Sequence, residues 1–279
     1  MDTLLVVDGS NLLFQMFYGM PARIIGANGK AIQGTLGFVG ALLKTVRRVR
    51  PTHAVVLFDG EYTSERREID PEYKSDRPDF NAMPEEETPF SQLPDIQAAL
   101  DCLGLRWCET SDCEADDWIA GYARSADAHT EVMILSQDSD FFQLISPQVR
   151  VLRYRGDNSV LCDEAYIREK LGISPSCYAA YKSLTGDTAD HIRGADKIGP
   201  KTAAALMEQF HDLDTLFAQA DTIPKPSVRN SVKENEARIR KNHRLIALSG
   251  TDVPFAPETL VWKDPGLTTT QVLQKIGLR

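Results

Sequence analysis

No stretch of this 279-residue chain approaches the roughly 18–20 consecutive apolar residues that a membrane-spanning helix needs. The first residues, MDTLLVVDGS, start acidic and turn into a short strand-like run, so they are not read as a secretory leader. Cysteine is scarce. Cys102, Cys108, Cys113, Cys162 and Cys177 form an odd set with no Cys-x-x-Cys spacing. That pattern speaks against a disulfide framework or a zinc cluster and for reduced thiols in a cytosolic protein. Positive charge is short as well, with 31 Lys and Arg against 40 Asp and Glu, a formal net charge of -9 and a pI near 5.1. The deficit argues mildly against a nucleic-acid partner, because phosphate binding usually leaves a basic footprint. Where the charges sit must decide that point.

What is present is the composition of an ordinary globular protein, 42% hydrophobic and 25% charged, with a mean hydropathy of -0.28. Disordered, collagen-like and coiled-coil classes are excluded. The length suits one large domain or a domain with a smaller lobe.

Short apolar runs at Leu4–Val7, Ala54–Phe58, Leu105–Cys108, Val132–Leu135 and Val149–Leu152 predict buried strands. Helical spacing lies between most of them, at Thr35–Val49, Pro89–Leu103 and Glu114–Ala126. Strands alternating with helices predict an α/β fold with a mostly parallel central sheet flanked by helices. From about Asp163 the pattern becomes helical only: Glu164–Leu171, Cys177–Leu184, Lys201–Phe210 and Arg229–Leu248. The expected division is an α/β lobe over 1–162, a helical lobe over 163–250, and a motif-poor C-terminal tail over 251–279. Residues of about 60–90 fit neither lobe, being polar and highly charged (EYTSERREIDPEYKSDRPDF, then EEE). Thirty residues is long for a loop in a compact domain, so a mobile functional element is favoured over a merely solvated loop.

The acids are placed where strands end. Asp8 closes LLVVD, Asp59 closes AVVLFD, Asp138 and Asp140 follow VMIL, and Glu114, Asp116 and Asp117 open a helix in CEADDW. Functional groups of an open α/β sheet gather outside the carboxyl ends of its strands. Each acid has a plain reading on its own: a turn with a helix cap at Asp8, a favourable helix dipole at Glu114–Asp117, a polar turn at Asp138–Asp140. Taken together they imply clustered negative charge with nothing to neutralise it, which would repel strongly and raise several pKa values. Bound dications resolve the conflict. An all-oxygen donor set favours Mg²⁺ or Mn²⁺ over zinc.

A further acid pair, Asp187 and Asp190, precedes a Gly-rich hairpin (Gly194, Gly199) leading into a helix at Lys201. Backbone N–H groups at such a helix start can face a phosphate. The spacing GxxxxGPKTA is not that of a P-loop.

These residues resemble bacterial 5′–3′ exonucleases of the flap endonuclease superfamily, and the chain is similar to the N-terminal nuclease domain of DNA polymerase I. The resemblance runs in order through VVDGSN, PTHAVVLFDG, EYKSDRP, CEADD, SQDSDFFQL and TGDTADHIRGADKIGPKTA, over roughly residues 3–250. It implies a PIN-like or resolvase-like sheet, a helical arch at about 60–90, and a helix–hairpin–helix element in the helical lobe. Asp8, Asp59, Glu114, Asp116, Asp117 and Asp138 match acids grouped around a first metal, and Asp140, Asp187 and Asp190 those of a second. Asp116 and Asp138 stand with Lys74 and Arg77 as the catalytic set, two Mg²⁺ being the cofactor, replaceable by Mn²⁺. Arg66, Tyr73, Lys74 and Arg77 match arch residues that contact DNA, with Tyr73 or Phe80 available to stack a base. Gly194, Lys197, Gly199, Lys201 and Thr202 match the hairpin that grips duplex backbone, with K⁺ at the hairpin. The implied partner is DNA with 5′ ends, nicks or flaps.

The chain departs from the family at several positions: Gln15 replaces a usual arginine near the reactive phosphate, His191 a usual Asn, Arg193 a usual Pro, and Lys197 a usual Gly. Losing an arginine removes a permanent charge and a bidentate donor. A lysine in a tight turn opposes its geometry. The net charge of -9 becomes less awkward once the metal site claims its acids. Basic residues cluster locally at Arg47–Arg50, Arg66–Arg67, Lys74–Arg77, Lys197–Lys201 and Lys233–Arg244. The expected activity is metal-dependent 5′–3′ exonuclease and structure-selective 5′-flap endonuclease, in DNA replication or repair. The alternatives are a catalytically weakened DNA-binding module of the same fold and a PIN-like ribonuclease. The expected form is a free-standing cytoplasmic, nucleoid-associated monomer with no membrane, working beside a separate DNA polymerase.

Overall fold

The computed structural model describes residues 2–60, 65–75, 78 and 80–279. The continuous apolar runs form strands β1 (Asp2–Asp8), β2 (His53–Phe58), β3 (Arg106–Glu109), β4 (Thr130–Leu135), β5 (Val149–Arg153) and β6 (Val160–Cys162). They make one sheet in the order β3-β2-β1-β4-β5-β6, parallel except for the last pair. Register pairs Val6 with both Val55 and Ile134, so β1 lies between the strands that follow it in the two halves of the fold. The chain runs outward through β2 and β3 on one side, then returns to build β4 to β6 on the other. Such a reversal leaves a crevice at the carboxyl ends of β1 and β4.

Both faces of the sheet are covered, as all-parallel strands require. Alternate residues separate cleanly. Leu4, Val6, Val55, Leu57, Val132 and Ile134 pack with helix α5 (Ala115–Arg124) and continue into the helical lobe. Leu5, Val7, Ala54, Val56 and Phe58 pack the opposite face, under α2 (Gln33–Val49) and α4 (Leu93–Cys102). Helix α1 (Gly9–Gly19) leaves β1 directly, with Asp8 as its N-cap accepting the Asn11 N–H at 3.0 Å. Gly9 is required there because a Cβ would lie 2.5 Å from the Phe58 ring and 2.8 Å from the Leu57 carbonyl oxygen. Between 60 and 90 the described residues form α3 (Glu65–Ile69), turns through Ser75, and short 3-10 segments at Phe80–Ala82 and Glu85–Glu87.

The helical lobe comprises α6 (Glu164–Leu171), α7 (Tyr178–Thr185), α8 (Pro200–Phe210), α9 (Leu213–Ala218), α10 (Pro226–Glu234) and α11 (Glu236–Ile246). Two sequence expectations are corrected here. The helix expected over Arg229–Leu248 is broken at Asn235, whose buried side chain donates to the Ser231 carbonyl at 2.8 Å. Apolar spacing continues across the break, so periodicity does not reveal it. The region is also not purely helical, since β7 (Gly186–Asp187) and β8 (Ile192–Arg193) pair antiparallel. The stretch 251–279 is folded against the first lobe. Trp262 donates its indole N–H to the Leu103 carbonyl at 2.9 Å, and α12 (Thr269–Lys275) buries Val272 beneath α2 and α4. No helix among the described residues is long and apolar enough to cross a membrane.

Candidate metal centre and nucleic-acid interface

The carboxyl rim of the sheet gathers four acids from four segments. Asp8 is 5% exposed, and beyond its capping bond it accepts the Ser136 hydroxyl at 2.7 Å. Asp59, one residue past β2, accepts the N–H of Ala115 at 2.9 Å, which pins the first turn of α5 to the rim and brings Asp116 there. Asp138 donates its N–H to the Ser136 hydroxyl at 3.0 Å and accepts the Asp140 N–H at 2.8 Å. Two of these groups, Asp8 and Asp116, are raised by burial and by the acids around them. Burial first, then the charge of Asp59 and Asp138, pushes Asp8 up to about 7, against the opposing bonds from Asn11 and Ser136. Asp116 is raised well above the carboxylate range by burial and by Asp138, Asp8 and Asp59, with Lys74 opposing.

The expectation that nothing neutralises the acids is corrected by buried cations. Arg66 pairs with Glu114 at 2.8 Å and forks across both oxygens of Asp117 at 3.0 and 3.2 Å. Its Nε donates to the Leu245 carbonyl at the end of α11. Lys74 reaches Glu114 at 3.0 Å, while its own N–H donates to the Asp190 carbonyl at 3.2 Å. The Arg66 side chain is thereby committed within the fold, tying α3, α5 and α11 together. Tyr73, expected to face DNA, is 4% exposed among Ala179, Ile192, Leu245 and Ile246, so its ring is packed rather than open to a base. Phe80 is likewise engaged, edge-on to Phe14 and Phe90. Arg77 lies outside the described residues.

A second acidic group joins Asp140, which starts the 3-10 segment after β4, to Asp187 at the end of β7 and Asp190 in the turn before β8. Asp140, Asp187 and Asp190 each bring a carboxylate oxygen within 4.8 Å of the others. Lys182 on α7 bridges the carboxylates of Asp140 and Asp187. Burial and Asp138 still push Asp140 up to about 6, outweighing Lys182. Asp187 goes the other way: burial would raise it, but the Lys182 bond and charge and the Ala189 N–H hold it below its ordinary value. Sequence reading missed Lys182. Its signal was a lone lysine inside an apolar helix, CYAAYKSLTGD, five residues before Asp187.

In the hairpin, Lys197, Gly199 and Lys201 are exposed and Thr202 is half-buried. Lys197 adopts φ 64, so the turn forms with a lysine in place of glycine. Gly199 caps α8 in extended conformation with open space where a Cβ would stand, and Pro200 takes the first helical position. Gly194 differs. A Cβ on it would lie 2.3 Å from the Thr185 carbonyl oxygen and 2.7 Å from the Gly186 nitrogen, making it a close-approach position. Gly194→Ala is therefore expected to destabilise the chain by more than about 2 kcal/mol in urea unfolding. A change within about 0.5 kcal/mol would show that the hairpin is free to shift. Gln15 donates its amide N–H to the Tyr154 carbonyl at 2.7 Å, beside Gln137, which does the same at 2.6 Å.

Every donor in both acidic groups is a carboxylate oxygen, with no histidine or thiol among them, which fits hard divalent cations. Residues 3–172 match the family described as "5'-3' exonuclease, N-terminal resolvase-like domain", and residues 173–267 match "5'-3' exonuclease, C-terminal SAM fold". The chain is 36% identical over 262 residues to DNA polymerase I of Rhizobium leguminosarum, covering 91% of this chain and 25% of that protein. It is 32% identical over 282 residues to DNA polymerase I of Deinococcus radiodurans, covering 99% and 28%. The chain thus spans about a quarter of the length of these curated relatives. Among solved structures, the T5 D15 protein co-crystallised with metal ions shares the fold with a TM-score of 0.68 at 22% identity, over 88% of this chain and 89% of that one. The catalytic core of Rad2 in complex with DNA substrate does so with a TM-score of 0.60 at 16% identity, over 99% and 93%. With both lobes matched in sequence from residue 3 to residue 267, the chain belongs to the 5′–3′ exonuclease family.

Proposed function

We propose that this chain hydrolyses DNA phosphodiesters at 5′ ends and 5′ flaps, with two divalent cations held by its acidic rim. The observation that carries the reading is the convergence of Asp8, Asp59, Asp116 and Asp138 from four segments on one crevice, where burial and neighbouring charge raise Asp8 and Asp116. Support also comes from the T5 protein, which was crystallised with metal ions, and from the Rad2 core, which was crystallised with DNA. Asp8, Asp59, Glu114, Asp116, Asp117 and Asp138 would serve the first cation, Asp140, Asp187 and Asp190 the second. Mg²⁺ suits the oxygen donors, and Mn²⁺ should replace it. When bound, such a pair lowers the pKa of a water and offsets charge on the oxygens flanking phosphorus.

The chain's own groups do the positioning. The Ser136 hydroxyl and the Asn11 N–H hold Asp8 in one orientation, and the Ala115 N–H does the same for Asp59. Lys74, in a left-handed conformation at φ 54 and paired with Glu114, would be the lysine to meet a phosphate oxygen beside the first acids. Arg66 braces the arch base against α5 and α11, and Arg77 is assigned to the arch by resemblance alone. Lys197, Lys201, Thr202 and the first turn of α8 would form a phosphate-gripping edge for duplex DNA, with K⁺ adding positive charge at the hairpin. Residues 1–162 would then supply most of the cation-binding acids, and 163–250 would hold the duplex and add Asp187 and Asp190. A monomer working beside a DNA polymerase is the arrangement this implies.

A labelled 5′-flap duplex tests the proposal. Short 5′ products should appear with Mg²⁺ or Mn²⁺ and none in EDTA, and a DNA flap should be cut in preference to an RNA flap. Tight binding without cleavage would favour the weakened DNA-binding module, the reading to which Gln15, committed to the Tyr154 carbonyl, lends weight. Preference for the RNA flap would favour the ribonuclease.

A further inference from the structure

The two acidic groups differ in how they are compensated. Among the described residues, no lysine or arginine forms an ion pair with Asp8, Asp59, Asp116 or Asp138; Lys74 and Arg66 pair instead with Glu114 and Asp117. In the second group a cation is built in. The Lys182 ammonium contacts both Asp140 and Asp187, two of the three acids whose oxygens lie within 4.8 Å of one another. We infer that Lys182 is the resident counter-ion of the second cation site, holding Asp140 and Asp187 together until a divalent ion displaces it, and thereby setting that site's affinity. The inference rests on reading the acidic groups as cation sites.

Three features support it. Helix α7 is buried from Tyr178 through Leu184, and the Lys182 side chain is 10% exposed, so solvent does not compete for the ammonium. Its aromatic neighbour Tyr178 has its ring centre 5.9 Å from the ammonium, on the same helix. The ammonium also contacts oxygen atoms of the kind a dication would use, so the two cannot occupy the middle of the group together. An incoming dication gains twice the charge of the ammonium but must break a buried, doubly paired lysine, and breaking such a pair is costly. In the first group the pairs made by Arg66 and Lys74 lie at Glu114 and Asp117, and Asp8, Asp59, Asp116 and Asp138 remain available to a dication without breaking such a pair. Cation uptake is therefore expected to be ordered, tight at the rim of β1 and β4 and weaker at Asp140, Asp187 and Asp190.

Calorimetric titration of the metal-free chain with Mn²⁺ tests this without reference to cleavage. The unaltered chain should take up two ions with separated affinities. Lys182→Met, which keeps the length of the side chain and removes its charge, should tighten the weaker site by about tenfold or more and leave the tighter one unchanged. The same variant should melt at a lower temperature in EDTA and recover more than the unaltered chain when Mn²⁺ is added. Should Lys182→Met not fold, Lys182→Gln provides the same comparison. Uptake of two ions with the weaker affinity unchanged or reduced in the variant overturns the role of Lys182 alone. Absence of any uptake by the unaltered chain overturns the reading of both acidic groups, and this inference with it.

Discussion

Asp116→Asn is expected to lower flap cleavage by about a thousandfold or more, equivalent to about 4 kcal/mol of transition-state stabilisation, while raising the melting temperature of the metal-free protein. The two effects share one cause. Asp116 sits on the first turn of α5, carried to the rim by the bond from the Ala115 N–H to Asp59, and it is pressed by burial and by Asp138, Asp8 and Asp59. Asparagine keeps the shape of the side chain and removes the charge. A cation then loses one anionic oxygen, and Asp8 and Asp138 lose one repulsive neighbour. Relief of about 1 kcal/mol would raise the melting temperature by roughly 2–4 °C in a chain of this size. Cleavage of the labelled flap with Mg²⁺ and calorimetric melting in EDTA measure the pair. A variant that keeps more than a tenth of its activity would remove Asp116 from the cation set. A variant that loses activity and also melts lower in EDTA would make Asp116 a structural group.

Much of this architecture is written locally. Parallel strands are buried on both faces, so each appears in sequence as an unbroken apolar run, and an acid immediately after such a run falls on the carboxyl rim whatever the helices do. Asp8, Asp59 and Asp138 are legible for that reason. Lys182, Arg66 and Tyr73 are not. A lysine or arginine ordinarily reads as solvent-facing, and only tertiary packing, in which α11 closes over α3 and α7, turns these side chains inward. The same packing buries Tyr73, whose immediate neighbours Glu72 and Lys74 are both charged. Strand β6 is three residues long, too short for alternation to show, and it is recruited by pairing with β5 rather than by its own pattern. At Asn235 a side-chain bond to the backbone breaks a helix whose apolar spacing is uninterrupted.

The metal-free protein should lose stability as pH rises from about 5 to 7.5, and Mg²⁺ should remove most of that loss. In the unfolded chain Asp8 and Asp140 release their protons near the ordinary value of 3.8, whereas in the fold they hold them until about 7 and about 6. Between those limits the folded state binds more protons than the unfolded one, so stability falls as pH rises and levels off above the folded values. A carboxylate whose proton affinity rises tenfold on folding contributes about 1.4 kcal/mol to this fall, and less where neighbours share a proton. Asp187 and Asp70 act in the opposite sense, since Lys182 and Lys241 hold them below their ordinary values; their contribution is present above 3.8 and lost as pH falls below it. The metal-free optimum therefore lies between the two regimes, on the acidic side of neutrality. A divalent cation binds only the deprotonated carboxylates, so its stabilisation grows with pH, by about 2.7 kcal/mol at a hundredfold excess over its dissociation constant. Melting temperatures measured from pH 5 to 8 in EDTA and in Mg²⁺ should diverge steadily toward alkaline pH. The divergence should shrink in Asp116→Asn, which both weakens the cation site and relaxes Asp8. An EDTA profile that is flat or rising over this range would mean that the rim carboxylates do not share a field, and the cation sites argued from that field would fall with it.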